Sequence, residues 1–112
     1  MEMNFDKIKN QYDIIYLLDS ELGIDSGHTN ERPCLVLNVN EDGSGYVVPI
    51  TSRNRMEYSS SNQHRLAFGS WIDLDNRPIF IDEAKMSYSR LSDYYIDQED
   101  IEVIEYRYAD WV

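Results

Sequence analysis

Short apolar runs alternate with polar loops along most of this chain, a pattern typical of a small β protein. The clearest case is residues 32–53, where apolar runs at 34–39 and 46–51 flank a turn at 41–45. The glycines of that turn allow the positive φ angles that a tight reversal needs. Pro49 has no N–H donor, so it marks an edge, a bulge or a strand end. The segment predicts a β-hairpin around which the rest of the chain is organised.

The same pattern predicts elements on both sides of the hairpin. Further strands are expected at residues 13–18, 65–74 and 79–82. Gly69 interrupts the second of them and predicts a bulge. Polar loops are expected at 19–31 and 54–63, and the length of the first favours a functional loop over a simple connection. Residues 85–95 are ambiguous.

The strongest helical pattern lies at residues 97–108. Asp97 is a suitable N-cap and Asp100 lies in the first turn, where a negative charge is favourable. An apolar stripe that would pack against a sheet is formed by Ile101, Ile104, Tyr108 and, to one side, Val103. A short helical turn is also expected at residues 4–10.

Five or so short strands and one terminal helix indicate a mainly β fold. We expect a small, strongly curved sheet or barrel of SH3-like size. The length of 112 residues suits a single domain, 1–112.

The composition excludes several classes of protein. Apolar residues make up 42% of the chain and aromatic residues 12%, so it is not a disordered polymer. No apolar run approaches the roughly 20 residues of a membrane span. The N-terminal residues lack the hydrophobic core of a signal peptide, which predicts a cytoplasmic protein. Cys34 is the single cysteine and is expected to be a small buried hydrophobe.

The net charge of −11 repels polyanions over most of the surface. The charge is unevenly distributed, however. Three arginines and one histidine stand against one acid between positions 53 and 65. An anion-binding face would therefore be local, while most acidic side chains keep the surface soluble.

The ends of the hairpin carry the first chemical signal. Arg32 stands just before the outgoing strand, and Thr51 and Ser52 stand at the end of the return strand. Because antiparallel strands bring such ends together, a guanidinium and two hydroxyls should converge at one edge of the sheet.

The order of these signals resembles the PemK/MazF family of toxin endoribonucleases. The similarity extends from residue 12 to about residue 108. It rests on short stretches in the same order: the strand DIIYLL, a loop with Gly27-His28 that leads to Arg32-Pro33, the strand end VVPITS, the segment FIDEAKMSYSRL and the acidic helix DQEDIEVIE. Each stretch is short, and their order and spacing together are moderately specific.

The resemblance implies an SH3-like barrel, usually a homodimer, with a protein antitoxin as partner. It implies metal-independent, cofactor-free and sequence-specific cleavage of single-stranded RNA at short sequences. The ribose 2′-OH would attack its own phosphate and leave a 2′,3′-cyclic phosphate and a 5′-OH. Arg32 would bind the scissile phosphate and stabilise its developing charge, and Thr51 with Ser52 would hydrogen-bond the same group. His28 and Asp82 would be the proton-transfer groups.

Further substrate contacts are expected from residues that follow the hairpin. Arg53, Arg55 and His64 are the candidates in and beside the serine-rich loop. Unpaired bases could also stack on Tyr58, Tyr88, Tyr94, Tyr95 and Trp111, although tyrosines in a small chain more often serve packing and a dimer surface.

Each assignment has an ordinary structural alternative. Arg32 could bond loop carbonyls, Thr51 and Ser52 could close a strand end, His28 could be an exposed loop residue, and Asp82 could be a turn or cap residue. At the level of function, the alternative is a non-catalytic acidic barrel that occupies the basic groove of a nucleic-acid-binding protein or poisons gyrase. Phe80, where part of the family has arginine, and a shortened 27–33 loop favour it. A peptide-binding SH3-like module is the third possibility.

Overall fold

The computed structural model describes residues 8–24, 27, 30–52 and 62–112. Within these ranges the strands are β1 (Ile14–Leu18), β2 (Glu31–Val39), β3 (Gly45–Thr51), β4 (Gln63–Arg65), β5 (Trp71–Asp73), β6 (Ile79–Ile81) and β7 (Arg90–Leu91). The helices are α1 (Glu83–Tyr88) and α2 (Gln98–Arg107), and a 3₁₀ turn, Asp19–Leu22, follows β1. No helix in the described ranges has the length and apolar character to cross a membrane.

All seven strands join one antiparallel sheet in the order β4-β5-β3-β2-β1-β7, with β6 also beside β3. The edge of β3 that faces away from β2 has two partners, because β6 pairs with its first half and β5 with its last two residues. In the described part of the chain the end strands β4 and β7 do not pair, so the sheet is open. The mainly β fold with a C-terminal helix is confirmed, but a closed SH3-like barrel is not.

The predicted hairpin is present as β2 and β3. Its turn is closed by a hydrogen bond of 2.7 Å from the Asn40 amide to the Ser44 carbonyl oxygen, and Gly43 supplies the positive φ of 91°. Pro49 pairs with Cys34 and lies in the short interval of β3 that neither β6 nor β5 pairs with. This local edge tolerates a residue that has no N–H.

The sheet packs a hydrophobic cluster against each face. The α2-side core contains Ile14, Leu35, Leu37, Val48, Ile50, Leu66, Ile72, Leu74, Ile96, Ile104 and Tyr108. The α1-side core contains Ile15, Leu17, Leu22, Cys34, Val36, Val47, Ile81 and Met86. Successive residues of a strand point to opposite faces, so the central strands are apolar at nearly every position.

The C-terminal helix matches its prediction. Asp97 is the N-cap and accepts a hydrogen bond of 2.9 Å from the Asp100 amide. Ile104 and Tyr108 are fully buried in the α2-side core, with Ile101 and Val103 packed beside them. The expected apolar stripe therefore holds α2 on the sheet.

Residues 65–74 do not form the single strand that was expected. They belong to a hairpin in which β4 and β5 pair around a turn, with Leu66 donating its amide to the Ser70 carbonyl oxygen at 2.7 Å. Gly69 lies in that turn with φ of 97° and is not a bulge. The ambiguous stretch 85–95 contains the rest of α1 and the two residues of β7. The expected helical turn at 4–10 falls largely outside the described residues.

Candidate functional site

Arg32 lies at the start of β2 and binds Asp19 of the 3₁₀ turn. The guanidinium donates from Nε to Oδ1 at 2.8 Å and from Nη2 to Oδ2 at 3.1 Å. The Asp19 side chain is only 3% exposed, whereas that of Arg32 is 26% exposed. The hydrogen bonds to Asp19 raise the pKa of Arg32 although burial acts to lower it. The arginine is thus a fixed cation whose outer side reaches solvent.

Thr51 lies at the end of β3, on the same face of the sheet as Arg32. Arg32 is two residues before Cys34, and Thr51 is two residues after Pro49, the partner of Cys34. Cys34 belongs to the α1-side core, so the period of two puts Arg32 and Thr51 on that face. Ser52 follows and is exposed. The pairing of β2 with β3 ends at Cys34. On the other edge of β3, Thr51 pairs with Trp71 of β5.

Asp82 lies at the other end of β3 from Thr51. It follows Ile81, which pairs with Gly45 at the start of β3, about 20 Å along the strand from Thr51. Its carboxylate accepts the Lys85 amide at 2.9 Å as the N-cap of α1. The structure therefore does not bring Asp82 together with Arg32 and Thr51, because β6 pairs with the first half of β3 and Thr51 is at its end.

His64 lies on the opposite face from Thr51. It pairs with Ile72 of β5, whose side chain is in the α2-side core, and its Nε2 lies 2.7 Å from Oδ1 of Asp100. Burial acts to raise the pKa of Asp100, but hydrogen bonds from the Ala67 amide, from His64 and from the Asp97 amide lower it overall. In this position His64 ties β4 to the start of α2.

Three predicted site residues, His28, Arg53 and Arg55, lie outside the described residues. Tyr58 does so as well. Among the other aromatic candidates, Tyr94 stacks on Phe68 with ring centroids 4.9 Å apart, and Trp111 makes an edge contact with Tyr46 at the same distance. Tyr88 and Tyr95 are largely exposed.

Cys34 is fully buried in the α1-side core. Burial raises the pKa of its thiol to about 12. The expectation of a small buried hydrophobe is confirmed, and the thiol has no thiolate character at neutral pH.

Trp71 lies next to Thr51 and Arg65 lies beyond Trp71. Neither was among the candidate site residues, although Arg65 belongs to the basic stretch 53–65. Thr51 pairs with Trp71, and Trp71 pairs with Arg65, so the three form one row across β3, β5 and β4. The available signal was the alternation from Trp71 to Leu74, in which Ile72 and Leu74 are buried and Trp71 and Asp73 are partly exposed. The alternation was not recognised as a separate strand because residues 65–74 were predicted to form one continuous strand.

Two surface cavities lie away from this row. One, of about 460 Å³, is beside α2 and is lined by Asn62, Leu74, Glu99, Glu102, Val103, Tyr106 and Arg107. The other, of about 250 Å³, lies between the β2–β3 turn and α1. In the ranges that the structure describes, no three His, Cys, Asp or Glu side chains are grouped so that they could hold a metal ion.

Comparison of the chain with protein-family models, with curated proteins and with solved structures finds no match.

Proposed function

We propose that this protein is a metal-independent endoribonuclease that cleaves single-stranded RNA through a 2′,3′-cyclic phosphate. The observation that carries the proposal is the shared position of Arg32 and Thr51, on one face and at one end of the β2–β3 pair. A fixed guanidinium and a hydroxyl at the same end of one face suit a phosphate whose charge rises during the reaction.

Arg32 retains the donors that this role requires. A guanidinium has five N–H groups, and Asp19 accepts from Nε and from one position on Nη2. The remaining three N–H groups can bind two phosphate oxygens in a forked arrangement. Asp19 fixes the rotamer of the arginine before substrate arrives, and this preorganisation lowers the cost of binding the transition state.

In the reaction, the 2′-oxygen forms a bond to phosphorus while the bond from phosphorus to the 5′-oxygen breaks. Arg32 and Thr51 stabilise the charge on the non-bridging oxygens. The proton of the 2′-OH passes to a base, and the 5′-oxygen takes a proton from solvent water as it leaves. We assign the base role to His28, four residues before Arg32 in the sequence, because His64 is bound to Asp100 and Asp82 caps α1.

The proposal extends to the biology that the family resemblance implies. The protein would be the cytoplasmic toxin of a toxin–antitoxin pair, with an SH3-like barrel fold and a homodimeric state. A segment of the antitoxin would cover Arg32 and Thr51. The net charge of −11 is compatible with RNA binding only if the binding face is locally basic.

The test is cleavage of a mixed-sequence single-stranded RNA in EDTA, with the product ends mapped. Arg32→Lys keeps a cation beside Asp19 and removes the fork. Arg90→Lys is a matched control, because Arg90 also pairs with a carboxylate but in an exposed position, with 3.4 Å between its Nη2 and Oε1 of Glu31. We expect discrete cuts with cyclic-phosphate and 5′-OH ends in the wild type and the control. The Arg32→Lys rate should fall about 100-fold, as for loss of a preorganised donor. Intact RNA with the wild type, or equal rates for Arg32→Lys, would refute the proposal.

A second candidate function is a non-catalytic acidic module that binds a basic groove on another protein. The exposed carboxylates Glu99, Glu102 and Glu105 on α2 favour it. In that case RNA would stay intact, and affinity for a basic protein partner would fall steeply as salt rises.

A further inference from the structure

We infer that Trp71 and Arg65 extend the site across the sheet and bind the nucleotide next to the scissile phosphate. The ring of Trp71 would stack on an unpaired base, and Arg65 would bind the following phosphate. This inference rests on the proposed function, since it names the side chains that bind the RNA beside the scissile phosphate.

The register of the strands brings the three side chains together. Thr51 is directly opposite Trp71 on β5, and Trp71 is directly opposite Arg65 on β4. Directly opposite residues of antiparallel strands share a face and have neighbouring side chains. Adjacent strands are about 4.8 Å apart, so Trp71 is the residue between Thr51 and Arg65 in this row.

The row faces away from the α2-side core. Ile50 and Ile72, the strand neighbours of Thr51 and Trp71, are both fully buried in that core. The alternation along each strand therefore puts Thr51 and Trp71 on the other face, which also holds Arg32. The row thus continues from the phosphate-binding arginine toward the edge of the sheet.

The described contacts of Trp71 and Arg65 do not explain why these side chains occupy this face. Trp71 is partly exposed, Arg65 is exposed, and neither side chain makes a hydrogen bond, ion pair or ring contact with the described residues. The other described tryptophan, Trp111, packs against Tyr46. By contrast, Trp71 combines a partly exposed aromatic surface with a neighbouring cation that has no ion pair among the described residues, and single-stranded nucleic acids bind such pairs of groups.

Tryptophan fluorescence tests the inference without altering the row. The chain contains two tryptophans, so Trp111→Phe leaves Trp71 as the only one. The probe is a mixed-sequence single-stranded RNA with 2′-O-methyl groups, which cannot be cleaved because the nucleophile is blocked. We expect saturable quenching of Trp71, and much weaker quenching by the same sequences as a duplex.

Variants then measure the contribution of each residue to affinity. Trp71→Leu should raise the Kd about tenfold and Trp71→Phe less, as for loss of one stacked base. Arg65→Gln should raise the Kd and reduce its dependence on salt. Tyr106→Leu is the control, because Tyr106 is 91% exposed on α2, and its Kd should equal that of the wild type.

The outcomes separate this inference from the proposed function. One set of results overturns this inference and leaves the proposed function intact. In that set the wild type cleaves unmodified RNA, Trp71 emission does not change on binding, and Trp71→Leu has the wild-type Kd. Equal quenching by duplex and single strand also overturns it. Neither binding nor cleavage of RNA by the wild type overturns both. Should Trp71→Leu fail to fold, the quenching in the Trp111→Phe protein decides.

Discussion

Arg32 and Asp19 are joined by two hydrogen bonds across 13 positions of sequence, at 2.8 and 3.1 Å. The carboxylate is almost entirely shielded from water, and the guanidinium is not. A buried carboxylate needs its counter-ion, so Arg32 has a structural role whether or not it also binds RNA.

Arg32→Ala should therefore destabilise the protein as well as inactivate it. We expect a loss of about 2–4 kcal/mol in the free energy of unfolding, somewhat less than for a fully buried pair. Arg90→Ala is the comparison, since it removes an exposed pair with Glu31 and the contact of the guanidinium with the Tyr16 ring, and it should cost about 1 kcal/mol. Urea unfolding curves of both variants measure the difference. Equal losses of stability in the two variants would show that the shielded carboxylate of Asp19 does not need Arg32 as its counter-ion.

Asp82 should matter for helix α1 and not for cleavage. Asp82→Ala removes the N-cap and should lower the free energy of unfolding by about 1 kcal/mol, whereas Asp82→Ser keeps a capping oxygen and should cost less. Both variants should cleave RNA at the wild-type rate. Loss of cleavage in a stable Asp82→Ser protein would contradict this and return the carboxylate to the reaction.

Asp100 should make stability depend on acid pH. Its pKa is lowered from 3.8 in the folded state, so it binds protons less readily there than in the unfolded chain. Its contribution is fully present above about pH 4–5 and is lost as pH falls through the lowered folded pKa.

Asp100→Asn should reduce this loss of stability in acid. At neutral pH the variant should be less stable by about 1–3 kcal/mol, because the bonds to His64, Ala67 and Asp97 are weakened. Glu102→Gln, on the exposed side of the same helix, is the control. Thermal unfolding at several pH values measures both, and parallel curves for Asp100→Asn and the wild type would oppose the assignment.

Cys34 should be inert in the folded protein. With a thiol pKa of about 12 and no exposed surface, it should react with a thiol reagent only when the chain unfolds. One equivalent of thiol should appear in guanidinium chloride and almost none in buffer at the same pH. Rapid labelling of the native protein would contradict the buried position.

The parts of the fold that sequence predicts are those with local causes. The β2–β3 hairpin follows from its glycine-bearing turn, and α2 follows from the Asp97 cap and the stripe that ends at Tyr108. The β4–β5 hairpin was missed because the apolar residues around its turn, Leu66 and Phe68, resemble the middle of a strand. Leu66 is indeed buried, but it lies in the turn between β4 and β5 and packs into the α2-side core from there.

The candidate site was predictable only in part for a related reason. Strand direction and the period of two are enough to put Arg32 and Thr51 at one end of one face. The partners Asp19 and Asp100 were not predictable, since they lie 13 and 36 positions from Arg32 and His64 and depend on how distant elements pack. His64 therefore suggested an RNA contact from its sequence context, whereas the structure commits it to a carboxylate.

The same central strands, β2 and β3, contribute side chains to both hydrophobic cores. Leu35 and Val48 face one core, and Val36 and Val47 face the other, on the same two strands. If either layer separated from the sheet, the strands that support the other layer would lose half of their burial and would be exposed to water. Neither core can therefore melt alone, and the molecule should lose both in a single cooperative transition.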